Sequence, residues 1–156
     1  MKYTIILTFF LTSLLVSEEL KITAKEFKTD EKNGITTLSG DVNIIKSSNE
    51  INASNIIIYT NENREPTKFI AHGDVSFKIK TDDNDTYKGV AGKVVYLPLK
   101  KEYQFFKDVH LEQINEKKTI IGEEVILKTT DGEAYAKGAN KEPIIMIFNM
   151  PNNKDK

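Results

Sequence analysis

The tightest constraint on this chain is a repeat. Leu38-Ser39-Gly40-Asp41-Val42-Asn43-Ile44 recurs as Ala71-His72-Gly73-Asp74-Val75-Ser76-Phe77 and, with lysine in place of glycine, as Phe105-Phe106-Lys107-Asp108-Val109-His110-Leu111. The offsets are 33 and then 34 residues, and Gly138, 31 residues after Lys107, marks a worn fourth copy leading into Ile144-Ile145-Met146-Ile147-Phe148. A single Gly-Asp-Val is a common turn-to-strand sequence and carries little weight. Here a second signature keeps phase with it: Ile51-Asn52-Ala53, Tyr87-Lys88-Gly89 and Ile120-Ile121-Gly122 each precede an apolar stretch, at Ile56 to Tyr59, Val94 to Tyr96 and Val125 to Leu127. A fixed period of this size implies multi-strand units that stack and close one another's apolar faces.

Within each unit the periodicity is that of strands. From Leu20 onward apolar residues alternate rather than recur at helical spacing, most cleanly in Asp74-Val75-Ser76-Phe77-Lys78-Ile79-Lys80, which predicts one wet and one dry face. Polar stretches at Asp30 to Gly34, Asn61 to Pro66, Asp82 to Asp85, Asn115 to Lys118 and Asp131-Gly132 read as turns. Asn33-Gly34 and Asp131-Gly132 supply the positive φ that tight turns demand. A glycine at the head of a repeated strand permits a bulge that turns the sheet. By alternation the inward set comprises Leu20, Ile22, Val42, Ile44, Val75, Phe77, Ile79, Val94, Tyr96, Val109 and Leu111. Ile56-Ile57-Ile58 breaks the alternation and receives no parity.

Length and charge narrow the rest. The 156 residues suit one domain. Residues 1–17 have the layout of a signal peptide: Lys2, an uncharged apolar run from Thr4 to Val16, then Ser17 before Glu18-Glu19. The run is short of the roughly 20 residues needed to span a bilayer. Cleavage leaves a domain over 18–150 and a polar tail over 151–156, with 21 basic against 23 acidic residues, so no strong field draws the protein to nucleic acid. Cysteine is absent, which excludes disulfides, thiolate metal sites and lipidation after the apolar run.

Taken together, the opening strand Leu20-Lys21-Ile22-Thr23-Ala24, the Gly-Asp-Val copies, Ile51-Asn52-Ala53, Gly89 to Tyr96 and the late Ile121-Gly122 strand resemble the OstA-like domain of the LptA family of periplasmic lipopolysaccharide-transport proteins. The likeness runs from about Leu20 to Met150, and Lys107 departs from the expected glycine, which puts the third bulge in question. The resemblance implies an all-β fold: a twisted, open antiparallel β-jellyroll whose apolar interior holds the acyl chains of lipid A. Phe77 and Tyr96 match positions lining that family's groove. It also implies a periplasmic bridge from inner to outer membrane, with subunits joined to one another and to LptC-like and LptD-like partners by end-to-end strand addition. The strands at Leu20 to Phe27 and Ile144 to Met150 are the expected free edges.

No hydrolase, nucleotide or metalloprotease pattern is present, so neither an enzyme nor a cofactor is expected. His72 and His110 occupy equivalent places beside the repeat and read as surface or structural residues, with too few ligands for a metal. Asn52-Ala53-Ser54 and Asn84-Asp85-Thr86, each with an acid two residues before the asparagine, are candidate glycosylation sites, Asn84 being the better exposed. Two rival readings share the fold: an LptC-like membrane-anchored adaptor, and a structural β-repeat protein with a closed, dry core.

Overall fold

The computed structural model describes residues 18–140 and 142–151. Residues 1–17, expected from the sequence to be a signal peptide, and all of the tail beyond Pro151 lie outside them. The described chain forms a 10-stranded antiparallel sheet: β1 (Leu20–Thr23), β2 (Glu26–Asp30), β3 (Ile35–Lys46), β4 (Asn49–Thr60), β5 (Pro66–Lys80), β6 (Thr86–Leu97), β7 (Glu102–Gln113), β8 (Lys118–Lys128), β9 (Ala134–Lys137) and β10 (Ile145–Phe148). The long strands follow one another as a meander from β3 to β8. Among the described residues β1 and β2 share β3 as their partner at one end, and β9 and β10 share β8 at the other.

Each repeat is one hairpin, namely β3–β4, β5–β6 and β7–β8. On the odd-numbered member the Gly-Asp pair forms a bulge, with both residues in the left-handed region: Gly40 and Asp41 at φ 79° and 47°, Gly73 and Asp74 at 83° and 47°. The third bulge forms in spite of its lysine, with Lys107 at 67° and Asp108 at 48°. Aspartate suits the second position because its short polar side chain tolerates this conformation better than most.

At every bulge two residues oppose one on the neighbouring strand. Ser54 faces both Gly40-Asp41 and Gly73-Asp74, since the register jumps between Ser39/Val42 in the β3–β4 pairing and between Asn52/Asn55 in the β4–β5 pairing. Gly92 sits at the same level of β6. Bulges bend strands and raise their twist, so a row of them makes a fold line across the whole sheet. The two short edge pairs break at that line as well. Lys25, between β1 and β2, donates its backbone N–H to the carbonyls of Ser39 and Gly40, and Gly138 lies between β9 and β10.

Folding along this line turns one sheet into two facing layers. The first layer contains β1, the distal half of β3, the proximal half of β4 and their counterparts through β10. The second contains β2, the other strand halves and β9. Phe77 of the first layer meets Phe105 of the second with ring centroids 4.3 Å apart. Val42, Val75, Val109, Ile56, Ile79, Leu111, Val125 and Leu127 are all buried between the layers, and each large apolar side chain so enclosed contributes roughly 1.5–3 kcal/mol of transfer free energy.

The fold line also explains the lost alternation at Ile56-Ile57-Ile58. The odd strands carry the extra bulge residue and keep one parity throughout, as with Phe69, Ala71, Val75, Phe77 and Ile79 of β5. The even strands lack it and switch. On β4, Ile51 and Ala53 point inward, Ser54 and Asn55 both point out, and Ile56 and Ile58 point inward again. β6 switches at Gly92-Lys93 and β8 at Glu123-Glu124. The result is the open antiparallel jellyroll anticipated from the sequence.

Candidate functional site

Along the margin opposite the fold line the layers are tied at one end and apart at the other. Near the β5–β6 turn Asp82 donates its backbone N–H to the Thr129 carbonyl at 2.8 Å, and Thr129 donates both its N–H and its hydroxyl to the Lys101 carbonyl, at 2.9 and 3.1 Å. The Lys101 ammonium lies 3.3 Å from the Asp82 carboxylate. Toward β1 the layers separate around a cavity of about 260 Å³, lined by Leu20, Ile44 and Ile51 on one side and by Ile56, Phe69, Ala71, Val94, Tyr96 and Tyr103 on the other. Lys46, Asn49, Glu50, Pro66 and Pro98 complete its wall. A designed apolar cavity of about 150 Å³ already suffices to bind benzene, so this space admits a longer hydrocarbon.

Aromatic rings form one wall. Tyr96 and Tyr103 are paired across β6 and β7 and stack at 4.3 Å, with Phe69 at 5.8 Å from Tyr96 on the β5 side. Burial of Tyr103 pushes its phenol well above the usual range, while a hydrogen bond from Asn49, across the cavity, works in the opposite direction. The phenol therefore stays neutral, and the wall presents no charge to an apolar guest.

Of the residues predicted to face inward, Leu20, Ile44, Val94 and Tyr96 line the cavity. Val42, Val75, Phe77, Ile79, Val109 and Leu111 are buried in the core cluster beyond it. Ile22 faces inward from the edge strand, but 39% of it is exposed, and Leu20 is 41% exposed at the cavity rim. Sequence reasoning missed Ile51, Ile56, Phe69, Ala71 and Tyr103. The parity switch hid Ile56, and outward Ile70 and Phe106 blurred the alternation around Phe69, Ala71 and Tyr103.

Among the described residues the inner rows end on exposed side chains at both ends of the sheet. Leu20, Ile22 and Phe27 end its inner rows on the β1–β2 side, and Met146 and Phe148 end them on the β10 side; all five are exposed. His72 and His110 lie on the outer surface, and among the described residues no cluster of three or more His, Cys, Asp or Glu is arranged for a metal. Asn84 is exposed at the tip of the β5–β6 turn, whereas Asn52 lies mid-strand with its carbonyl oxygen accepting from Asn43 at 2.7 Å and its amide donating to Glu50 at 3.4 Å.

Residues 21–133 match the family described as LptA/(LptD N-terminal domain) LPS transport protein. The chain belongs to this family. Its membership makes the chain a transport component and not an enzyme. No curated protein sequence matches it. Among solved structures, the fold is similar to that of LptH from Pseudomonas aeruginosa, described as the LptA homologous periplasmic component of the lipopolysaccharide transport device, with a TM-score of 0.76 and 18% identity over 85% of this chain and 96% of that one. Within the family domain the cavity lies between the β1 edge and the aromatic wall. The matched segment includes all three bulges and every cavity-lining residue except Leu20.

Proposed function

We propose that this LPS transport family member is a periplasmic carrier that holds acyl chains of lipopolysaccharide between its two layers while the sugars remain outside. The cavity supports this reading most directly: it is apolar, uncharged along its aromatic wall and open at the β1 rim. Each acyl methylene buried there contributes about 0.8 kcal/mol, so binding needs no catalytic group. A lipid with several chains exceeds the space present between the layers. The margin near Pro66, where the Asn49–Tyr103 hydrogen bond would have to release, is where the layers would part to admit more of it, while the Asp82–Thr129–Lys101 contacts hold the other end.

The edges suit a bridge. Among the described residues, β1 and β2 at one end and β9 and β10 at the other each have a single strand partner. Strand addition by a second copy, or by LptC-like and LptD-like partners, would pair their free backbone groups and continue the apolar interior from one domain into the next. Contacts between unlike ends do not close on themselves and so extend into a filament.

Photo-crosslinking tests the carrier reading. A benzophenone amino acid at Tyr96, inside the cavity, should capture lipopolysaccharide in the native host, and the same group at Ser76 on the outer face should not. Equal capture at both positions, or none at either, refutes the proposed site.

A further inference from the structure

The cavity has a definite end within the fold, and the register shows what makes it. On the inner face of the first layer Ile44, Ile51 and Phe77 are consecutive across β3, β4 and β5. The first two line the cavity; the third does not. On the facing layer Ile56, Ala71, Val94 and Phe105 are consecutive across β4, β5, β6 and β7. Again the first three line the cavity and the phenylalanine does not. Phe77 and Phe105 are the residues that touch across the gap, at 4.3 Å between ring centroids. Past them the interior is solid: Val109, Leu111, Val125 and Leu127 are at most 1% exposed.

The two rings are held in place. Phe77 lies over Gly89, where an added Cβ would stand 3.0 Å from the Phe77 ring tip and 1.9 Å from the His110 carbonyl oxygen. The missing side chain at Gly89 therefore makes the seat for that ring. Phe105 is fully buried and stacks on Tyr103 at 6.2 Å. Ala71, in the row opposite Ile51, has the smallest side chain of the facing row, and the open space lies over it.

We infer that the Phe77–Phe105 pair is the floor of the acyl-chain cavity and sets the chain length it accepts. The inference rests on the carrier reading above and adds a specificity element to it. A chain entering at the β1 rim and lying along the inner rows crosses three inter-strand steps before reaching the rings, roughly 14 Å at about 4.8 Å per strand. Carbons within that distance exchange water for the apolar wall. Carbons beyond it find no room and remain in solvent or bend back.

Affinity should therefore follow chain length with a break. Binding of a homologous series of saturated monoacyl lysophospholipids to the mature chain, measured calorimetrically below their micellar concentrations, should tighten about fourfold per methylene up to the break, because each buried methylene contributes about 0.8 kcal/mol. Beyond the break the affinity should be flat. Phe105→Ala and Phe77→Ala should move the break to longer chains; Phe105→Leu and Phe77→Leu, which keep the core filled, should move it by less. Phe69→Leu, in the side wall, should change affinity at all lengths and leave the break in place. Native-like circular dichroism and cooperative melting identify variants that retain the fold, and the leucine variants serve if the alanine variants do not. A break that stays put in the Phe77 and Phe105 variants, or affinity that climbs without a break, overturns the floor while leaving the carrier intact. Absence of binding at every length defeats the carrier reading itself, and the floor with it.

Discussion

Substitution of one glycine should expose how much the fold line contributes. Gly73 has φ +83°, and a Cβ placed there would lie 2.7 Å from Ser54 Cβ and 2.8 Å from Ser54 Oγ. Gly73→Ala thus incurs about 1–2 kcal/mol for a left-handed conformation in an L-residue and, because the Ser54 Cβ belongs to the strand rather than to a flexible tip, about 1–3 kcal/mol of overpacking. Reduced freedom of the unfolded chain returns about 0.4–1 kcal/mol. The net loss should be about 2–3 kcal/mol, a drop in Tm of roughly 6–9 °C for a domain of this size. Urea titration of residues 18–156 with an unchanged m-value would measure it. Ser54→Gly removes the obstructing atoms, so the double variant should be less destabilised than the sum of the two single changes by about 1 kcal/mol. A Gly73→Ala loss below about 0.5 kcal/mol, or strict additivity with Ser54→Gly, would refute both the strain and the steric account.

Other outcomes follow from the same geometry. Lys107→Gly relieves a left-handed lysine at φ 67° and should raise stability by about 0.5–1 kcal/mol after the greater freedom of glycine in the unfolded chain is subtracted, as urea titration would show. Burial, reinforced by Asp85 and Asp83, pushes the Tyr87 phenol up to about 12. Its contribution to stability is therefore complete below the ordinary tyrosine range near 10 and is lost as the pH climbs from there toward 12; Tyr87→Phe should flatten that part of the alkaline unfolding profile. Light scattering after size exclusion should show mass rising with protein concentration, and Ile147→Lys on the edge strand β10 should suppress the rise; a monomer at every concentration would contradict the end-to-end reading. Of the two candidate glycosylation sites only Asn84 is exposed in a turn while Asn52 is hydrogen-bonded within the sheet, so a glycan mass found on protein from the native host should be lost in Asn84→Gln and retained in Asn52→Gln.

Much of the architecture was legible in the residues. The 33- and 34-residue spacing marks the hairpin unit, alternation marks the dry face of β5, and Gly-Asp-Val marks the bend, the wet side chain and the start of an inner row. These are local properties: backbone conformation and side-chain direction along one strand depend on that strand's own residues. Other features escaped. The Ser47-Ser48 turn between β3 and β4 and the short 3-10 turn at Pro98–Lys100 carry no glycine, and the edge strand β9 is only Ala134–Lys137.

Tertiary structure alone decided the parity of β4, β6 and β8. Their sequence records no insertion, and the switch is imposed by a bulge on the neighbouring strand. It also decided that Lys107 adopts the glycine conformation, since neighbours on both sides align it with the other bulges. The cavity belongs to the same class. Whether two apolar faces pack tightly or stand apart depends on which side chains meet across the gap, and these lie on strands distant in sequence: Ile51 and Ala71 both border open space, while Phe77 meets Phe105 and closes it. Alternation along a strand shows that a residue faces inward, but only the distance between layers shows what it meets there.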